Sequence, residues 1–223
     1  MSHFVVGVIM DKEDVEKDLE DSLHEILKEY DEDKQIPEYE EKCYCIKSNA
    51  RDKAKEIIEK ETGKTVEDFR EEIAGIETWE ERDKKWKELT EDYFYRLDQL
   101  TLEETATAKP DKDCENCKGT GLYKTTYNPN SKWDWYEIGG RWSGLINRKD
   151  IVSVQETIDY VKENNSLFAF LTPDGKWFEK GEMGWFGCSS NNKKETIWKE
   201  DSLNILENFN SDDFRVVLVD CHI

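Results

Sequence analysis

Phe4-Val-Val-Gly-Val-Ile-Met10 is an unbroken apolar run rich in β-branched side chains, and Phe214-Arg-Val-Val-Leu-Val219 answers it near the other end of the chain. Runs of this length without polar alternation suit strands covered on both faces. The two are expected to pair in the middle of one sheet. Residues 167–171, the turn Thr172-Pro-Asp-Gly175 and residues 176–179 form the clearest hairpin, because Pro and Asp-Gly supply turn dihedrals that other residues resist. Residues 122–127 and 133–138 read as neighbouring strands joined at Asn128-Pro-Asn130, and helices are expected over 154–163 and 196–209. The fold class is α+β, a mixed sheet with adjacent N- and C-terminal strands.

Between the framing strands the texture is helical. Asp11 offers an N-cap, after which Val15, Leu19, Leu23, Ile26, Leu27 and Tyr30 share one helical face, and residues 31–41, containing Pro37, form an acidic loop. Ala50, Ala54, Ile57 and Ile58 recur at helical spacing until Gly63 supplies a stop. Thr65-Val-Glu-Asp68 is a variant capping box, and a further helix over 79–100 carries Trp86, Leu89, Tyr93, Leu97 and Leu100 inward. At 223 residues the chain can bury its core as one domain, 1–223, with an acidic, mainly helical insertion over 11–113 and a Gly/Trp-rich, β-rich part over 114–223 that adds two helices. Nine of the twelve glycines lie between Gly119 and Gly187, which is why that part reads as strands with tight turns.

The net charge is −20, and residues 11–113 hold 35 of the 52 acidic side chains against 19 basic ones. Such a surface repels phosphate backbones, so direct nucleic-acid binding through this half is disfavoured. It reads either as a solvated helical face or as a surface for a basic partner. No apolar stretch is long enough for a membrane span, and the N-terminal stretch turns acidic at once without a basic leader, so a cytoplasmic protein is expected.

Six cysteines without a signal peptide argue against a disulfide scaffold. Cys114-x-x-Cys117 followed by Lys-Gly-Thr-Gly is a knuckle, in which two thiolates reach one metal while glycines turn the backbone beneath them. Cys43-Tyr-Cys45 can supply the other two ligands if Tyr44 points away. A structural four-thiolate zinc ion on Cys43, Cys45, Cys114 and Cys117 would then clip both ends of the insertion to the sheet. Ordinary reduced cysteines and a redox pair are the alternatives.

Gly139-Gly-Arg-Trp-Ser-Gly144 sets Arg141, a bidentate reader of phosphate or carboxylate, beside the aromatic plane of Trp142. Trp133, Trp135 and Tyr136 stand just before it, and Glu182 and Trp185 of Gly181-Glu-Met-Gly-Trp-Phe-Gly187 can line the same cavity. The segment reads either as a ligand pocket or as a rigid aromatic-glycine corner. It is neither a phosphate-binding Walker loop nor a dinucleotide fingerprint. Cys221-His222 beside His3 could be strand-end packing, a second metal cluster or a nucleophile-base pair oriented by Asp220.

Taken together, the opening Met1-Ser-His-Phe4, Cys43-x-Cys45 with Ala50-Arg-Asp52, the knuckle, the run from Asn128 to Trp142, Gly181 to Gly187 and the terminal Val219-Asp-Cys-His-Ile223 resemble a family of uncharacterised proteins carried by bacteriophages and prophages. The resemblance runs from first residue to last. It implies an accessory, host-directed role, including inhibition of a bacterial defence system, in the host cytoplasm. The expected activity is binding of a small anionic or aromatic ligand such as a nucleotide signal by Trp133, Trp135, Tyr136, Arg141, Trp142, Glu182 and Trp185. The alternatives are an acidic inhibitor that mimics nucleic acid against a basic host enzyme, and a nucleotide-processing enzyme using Glu182, Asp220 and His222 as acid-base groups.

Overall fold

The computed structural model describes residues 2–184 and 188–223. In chain order its elements begin with β1 (His3–Asp11), α1 (Lys12–Lys17), α2 (Leu19–Leu27), β2 (Tyr39–Lys42), α3 (Tyr44–Thr62), α4 (Val66–Ile73), α5 (Trp79–Thr105) and β3 (Leu122–Thr125). They continue with β4 (Trp135–Ile138), β5 (Ile151–Ser153), α6 (Val154–Glu163), β6 (Ala169–Leu171), β7 (Trp177–Glu179), β8 (Glu182–Met183), β9 (Ser189–Ser190), α7 (Glu195–Leu206) and β10 (Phe214–His222). Two compact units result: Met1–Pro37 with Thr126–Ile223, and Glu38–Thr125.

The first unit is built on a mixed six-stranded sheet of order β4-β10-β1-β6-β7, with β5 also on β10. The apolar runs at the two ends of the chain are its centre. β1 and β10 pair antiparallel over their full length, from His3 opposite His222 to Asp11 opposite Phe214. Because side chains alternate across a strand, one face presents Phe4, Val6, Val8, Met10, Val217, Val219 and Cys221 to Leu23 and Leu27 of α2. The other presents Val5, Ile9, Val216 and Leu218 to Ile158 and Val161 of α6 and to Trp198 and Leu206 of α7. The hairpin around Gly175 forms as β6 and β7, with Phe170 opposite Phe178.

The sequence expectation differs from the structure in three places. The helix after β1 is broken at Asp18, whose extended backbone ends α1 and whose carboxylate caps α2 by accepting the Asp21 amide. Residues 12–37 therefore belong with the sheet, sealed by Leu23 and Leu27, and not with the helical insertion. The segments at 122–125 and 135–138 do not pair with each other: β3 pairs with β2, and β4 with β10. The cause lies between them. The Asn128 carboxamide donates to the Glu29 and Asp31 carbonyls, and the buried Trp133 indole donates to the Leu27 carbonyl at 3.2 Å, so the linking segment is anchored on the end of α2 and the turn that follows it.

In the second unit α3, α4 and α5 bury Ala54, Ile58, Phe69, Tyr93, Leu97 and Leu100. The capping box at Thr65 and Asp68 closes both ways, and the Arg51 guanidinium donates to the buried Asp98 carboxylate at 2.8 Å. β2 and β3 bring the chain's entry and exit side by side.

Candidate functional site

Two clusters concentrate the chemistry, one in each unit. In the helical unit, β2 ends at Lys42, Cys43 takes the N-cap position of α3, and Cys45 lies in the first helical turn while Tyr44 between them turns out to solvent. The Cys43 amide donates to the Gly121 carbonyl at 2.9 Å, which draws the knuckle beneath the helix start. Gly121 holds a φ of +83°, a left-handed conformation that side chains other than glycine's resist. Within the knuckle the Lys118 amide donates to the Cys114 carbonyl at 2.7 Å, and the Thr120 amide to the Cys117 carbonyl at 2.9 Å.

The result is a four-sulfur group whose donor atoms all lie within 4.8 Å of one another. Cys43 and Cys114 Sγ atoms are 3.5 Å apart and those of Cys45 and Cys117 3.7 Å, with all four present as free thiols. A tetrahedral site with metal–sulfur bonds of about 2.3 Å has sulfur–sulfur edges of about 3.8 Å. The spacing therefore fits a metal ion, and it is far too long for disulfides. Burial opposes ionisation of Cys117, yet the Gly121 and Gly119 amides and the Cys45 and Cys43 thiols hold its pKa down to about 7. Cys45 goes the other way: despite the Asp111 amide, desolvation and the three neighbouring thiols push it up to about 12. A cation among the four sulfurs would stabilise their thiolates, and the amides around Cys117 and Cys45 are placed to support them. All four cysteines lie in the Glu38–Thr125 unit. The tie joins the two ends of that unit to each other rather than joining an insertion to the sheet.

The second cluster sits at the end of the sheet where β1 begins and β10 ends. Register puts His3 opposite His222, Val5 opposite Asp220, and Trp135 of β4 opposite His222. Side-chain alternation then places His3, Asp220, His222 and Trp135 on one face. His3 Nδ1 lies 3.0 Å from one Asp220 carboxylate oxygen and 3.2 Å from the other. His222 Nδ1 lies 2.5 Å from Asp134 Oδ1. Since an ionised carboxylate only accepts, each Nδ1 donates, and in a neutral ring each Nε2 carries the lone pair. The Trp135 ring stacks on His222 at 5.1 Å and 20°, and the His3 ring meets both edge-on, at 4.9 Å from His222 and 5.5 Å from Trp135.

Asp220 is 1% and His222 2% exposed. The second Asp220 oxygen accepts the Arg141 amide at 2.9 Å. This approach requires Gly140, where a Cβ would stand 2.5 Å from that of Asp220 and φ is +49°. His222 Nε2 is buried and has no hydrogen-bond partner among the described residues. Ser2, one residue before His3, donates from Oγ to the Gly184 carbonyl at 2.5 Å, so the end of β8 is tied beside the cluster.

The seven residues expected to line one pocket are distributed. Trp135 belongs to the ring cluster, and Arg141 is fixed to it through its amide. Trp133 and Tyr136 turn to the α2 face, where their rings meet edge-on at 5.1 Å and burial raises the Tyr136 phenol. Trp142 packs on the opposite, α6–α7 face. Glu182 is exposed and accepts from Asn191, while Trp185 lies outside the described residues. Cys221 also departs from the expected trio: it faces the α2 side and its thiol is pushed well up by burial. Among the described residues only the four-cysteine group brings ligand atoms together as a metal site would, so the His3, Cys221 and His222 positions do not make a second one. Asp134 escaped the sequence reading. Its pairing spans 88 positions to His222, and a carboxylate between two tryptophans signals nothing locally. No helix among the described residues is long and apolar enough to cross a membrane. None of the protein-family models, curated proteins or solved structures compared with the chain matches it.

Proposed function

We propose that the protein is a zinc-clipped binding protein, and that the ring cluster at the end of its sheet receives a small anionic, aromatic ligand of the nucleotide kind. The observation that carries this reading is Trp135: its indole is 43% exposed and stacked on a buried imidazole. An aromatic face held rigid yet open is suited to stacking a base. Arg141, exposed and anchored by its amide on Asp220, supplies the guanidinium for phosphate. Zinc is the metal that a closed four-thiolate set with this spacing favours, and its part is structural because no position remains for water. In the host-directed role that the family resemblance implies, the protein would sequester a nucleotide signal of bacterial defence. Calorimetry with a panel of mono-, di- and cyclic nucleotides tests this. Micromolar or tighter binding, lost in both Trp135→Ala and Arg141→Ala, is expected; absence of heat with every nucleotide removes the reading.

A second reading, an acidic inhibitor of a basic host enzyme, rests on Asp11, Glu13, Asp14, Glu16, Asp18, Glu20 and Asp21. All seven are exposed around α1, against only Lys12 and Lys17. A complex held by this stripe would dissociate as salt rises from 0.05 M through about 0.5 M, because screening shortens the reach of exposed charges.

A further inference from the structure

The end of the sheet holds more than a stacking platform requires. A buried acceptor without a donor is destabilising, and a native structure that keeps one invites a functional account. His222 Nε2 is such an atom, and the neighbouring imidazole is held in the same way, by Nδ1 on a carboxylate. Asp134 and Asp220 thereby fix both rings in the tautomer whose Nε2 can take a proton. Meeting edge-on at 4.9 Å between centroids, the rings form two imidazole–carboxylate pairs.

Such a pair of pairs suits reactions in which one proton leaves as another arrives. A covalent route is disfavoured. Cys221 lies on the opposite face of the sheet, and the hydroxyl of Ser2, next to His3 in the chain, donates to the Gly184 carbonyl. What remains is direct attack by water or a substrate hydroxyl, in line with a leaving oxygen, which is the geometry of displacement at phosphorus. Resting on the nucleotide-binding reading, we propose that this site cleaves phosphodiesters bearing an aromatic base, with His222 as general base and His3 as general acid.

The step balances. Neutral His222 takes a proton at Nε2 from the attacking water as its oxygen bonds to phosphorus. The bond from phosphorus to the leaving oxygen breaks, and protonated His3 gives its Nε2 proton to that oxygen. A phosphodiester and water become a phosphomonoester and an alcohol, and proton exchange with solvent resets the two rings. Trp135, stacked on His222 and 43% exposed, is the outer wall of the site.

The test uses the full chain as purified with two probes: bis(4-nitrophenyl) phosphate, whose leaving group departs without a proton, and the dinucleoside monophosphate adenylyl-(3′,5′)-adenosine, whose leaving alkoxide needs one. Wild type should cleave both. General acid or base catalysis contributes about 10²–10⁴-fold, so His222→Gln should lose about 100-fold or more on both probes. His3→Gln should lose as much on the dinucleotide but less than about 10-fold on the nitrophenyl ester. Should a histidine variant prove unfolded by circular dichroism, Asp134→Asn replaces it, with a fall in kcat at unchanged KM expected if Asp134 positions the base. Wild type that binds the dinucleotide by calorimetry but never cleaves it overturns the catalytic inference and leaves the binding reading standing. Neither binding nor cleavage removes both. Equal losses on both probes in His3→Gln would overturn its assignment as the acid.

Discussion

At the scale of single residues, Gly140 and Trp133 show how backbone and indole set the site. Gly140 lets the Arg141 amide reach Asp220, and a methyl group there meets the carboxylate's Cβ in a left-handed backbone. Gly140→Ala should lower stability by about 1–3 kcal/mol, read as a drop in Tm. Trp133→Phe keeps the apolar ring but strips the Leu27 carbonyl of its buried donor. It should cost about 1–3 kcal/mol in denaturant unfolding, and an unchanged midpoint would show that the anchor contributes nothing. Legibility at this scale was uneven. The four cysteines could be read because Cys-x-x-Cys-x-Gly is a local pattern whose spacing is its chemistry. The His222–Asp134 pair could not, since it exists only once β4 has docked on β10. The aromatic run was legible as a cluster but not as a site, because alternation along the strand sends its rings to both faces of the sheet.

At the scale of elements, α6 offers a pH test. Ser153 and Glu156 form its capping box, and Glu156 is held down to about 2 by Lys149, the Ser153 amide and Asn147. A carboxylate whose pKa is depressed by folding stabilises above its unfolded value near 4.5 and loses that contribution as pH falls toward the folded value. Wild type should therefore lose stability between about pH 4.5 and pH 2 more steeply than Glu156→Gln. Near pH 7 the variant should be less stable by about 1 kcal/mol, in the range of helix N-caps. Parallel Tm–pH curves for the two proteins would contradict the assignment. The capping boxes at Thr65 and Ser153 and the turn at Gly175 are short-range physics. The β3–β4 pairing expected from proximity failed because Asn128 and Trp133 commit the intervening chain to α2, a tertiary choice that local pattern does not carry.

At the scale of the whole molecule, charge and metal change meaning once the units are known. Residues 11–37 carry 12 acidic against 4 basic side chains and belong with the sheet, whereas 38–125 carry 24 against 17. The acidity that looks like one property of an insertion is shared between two units, and in the helical one many carboxylates face lysines a turn away. That unit's core is small, with six buried hydrophobic side chains grouped in it. A structural metal is a usual supplement to a core of this size. Cys114→Ser with Cys117→Ser should release the metal and reduce helical circular dichroism, while the sheet unit keeps its Trp198 environment in near-ultraviolet spectra. Loss of metal with no loss of helix would mean that the ion is incidental to folding.

The most direct measurement is native mass spectrometry of the protein purified without chelators, compared with the denatured spectrum and with thiol alkylation. One zinc ion per chain, absent after denaturation and protecting Cys43, Cys45, Cys114 and Cys117 from alkylation while exposed Cys188 reacts, is the predicted result. A bare chain in which all four thiols alkylate as readily as Cys188 would contradict the zinc-clipped architecture.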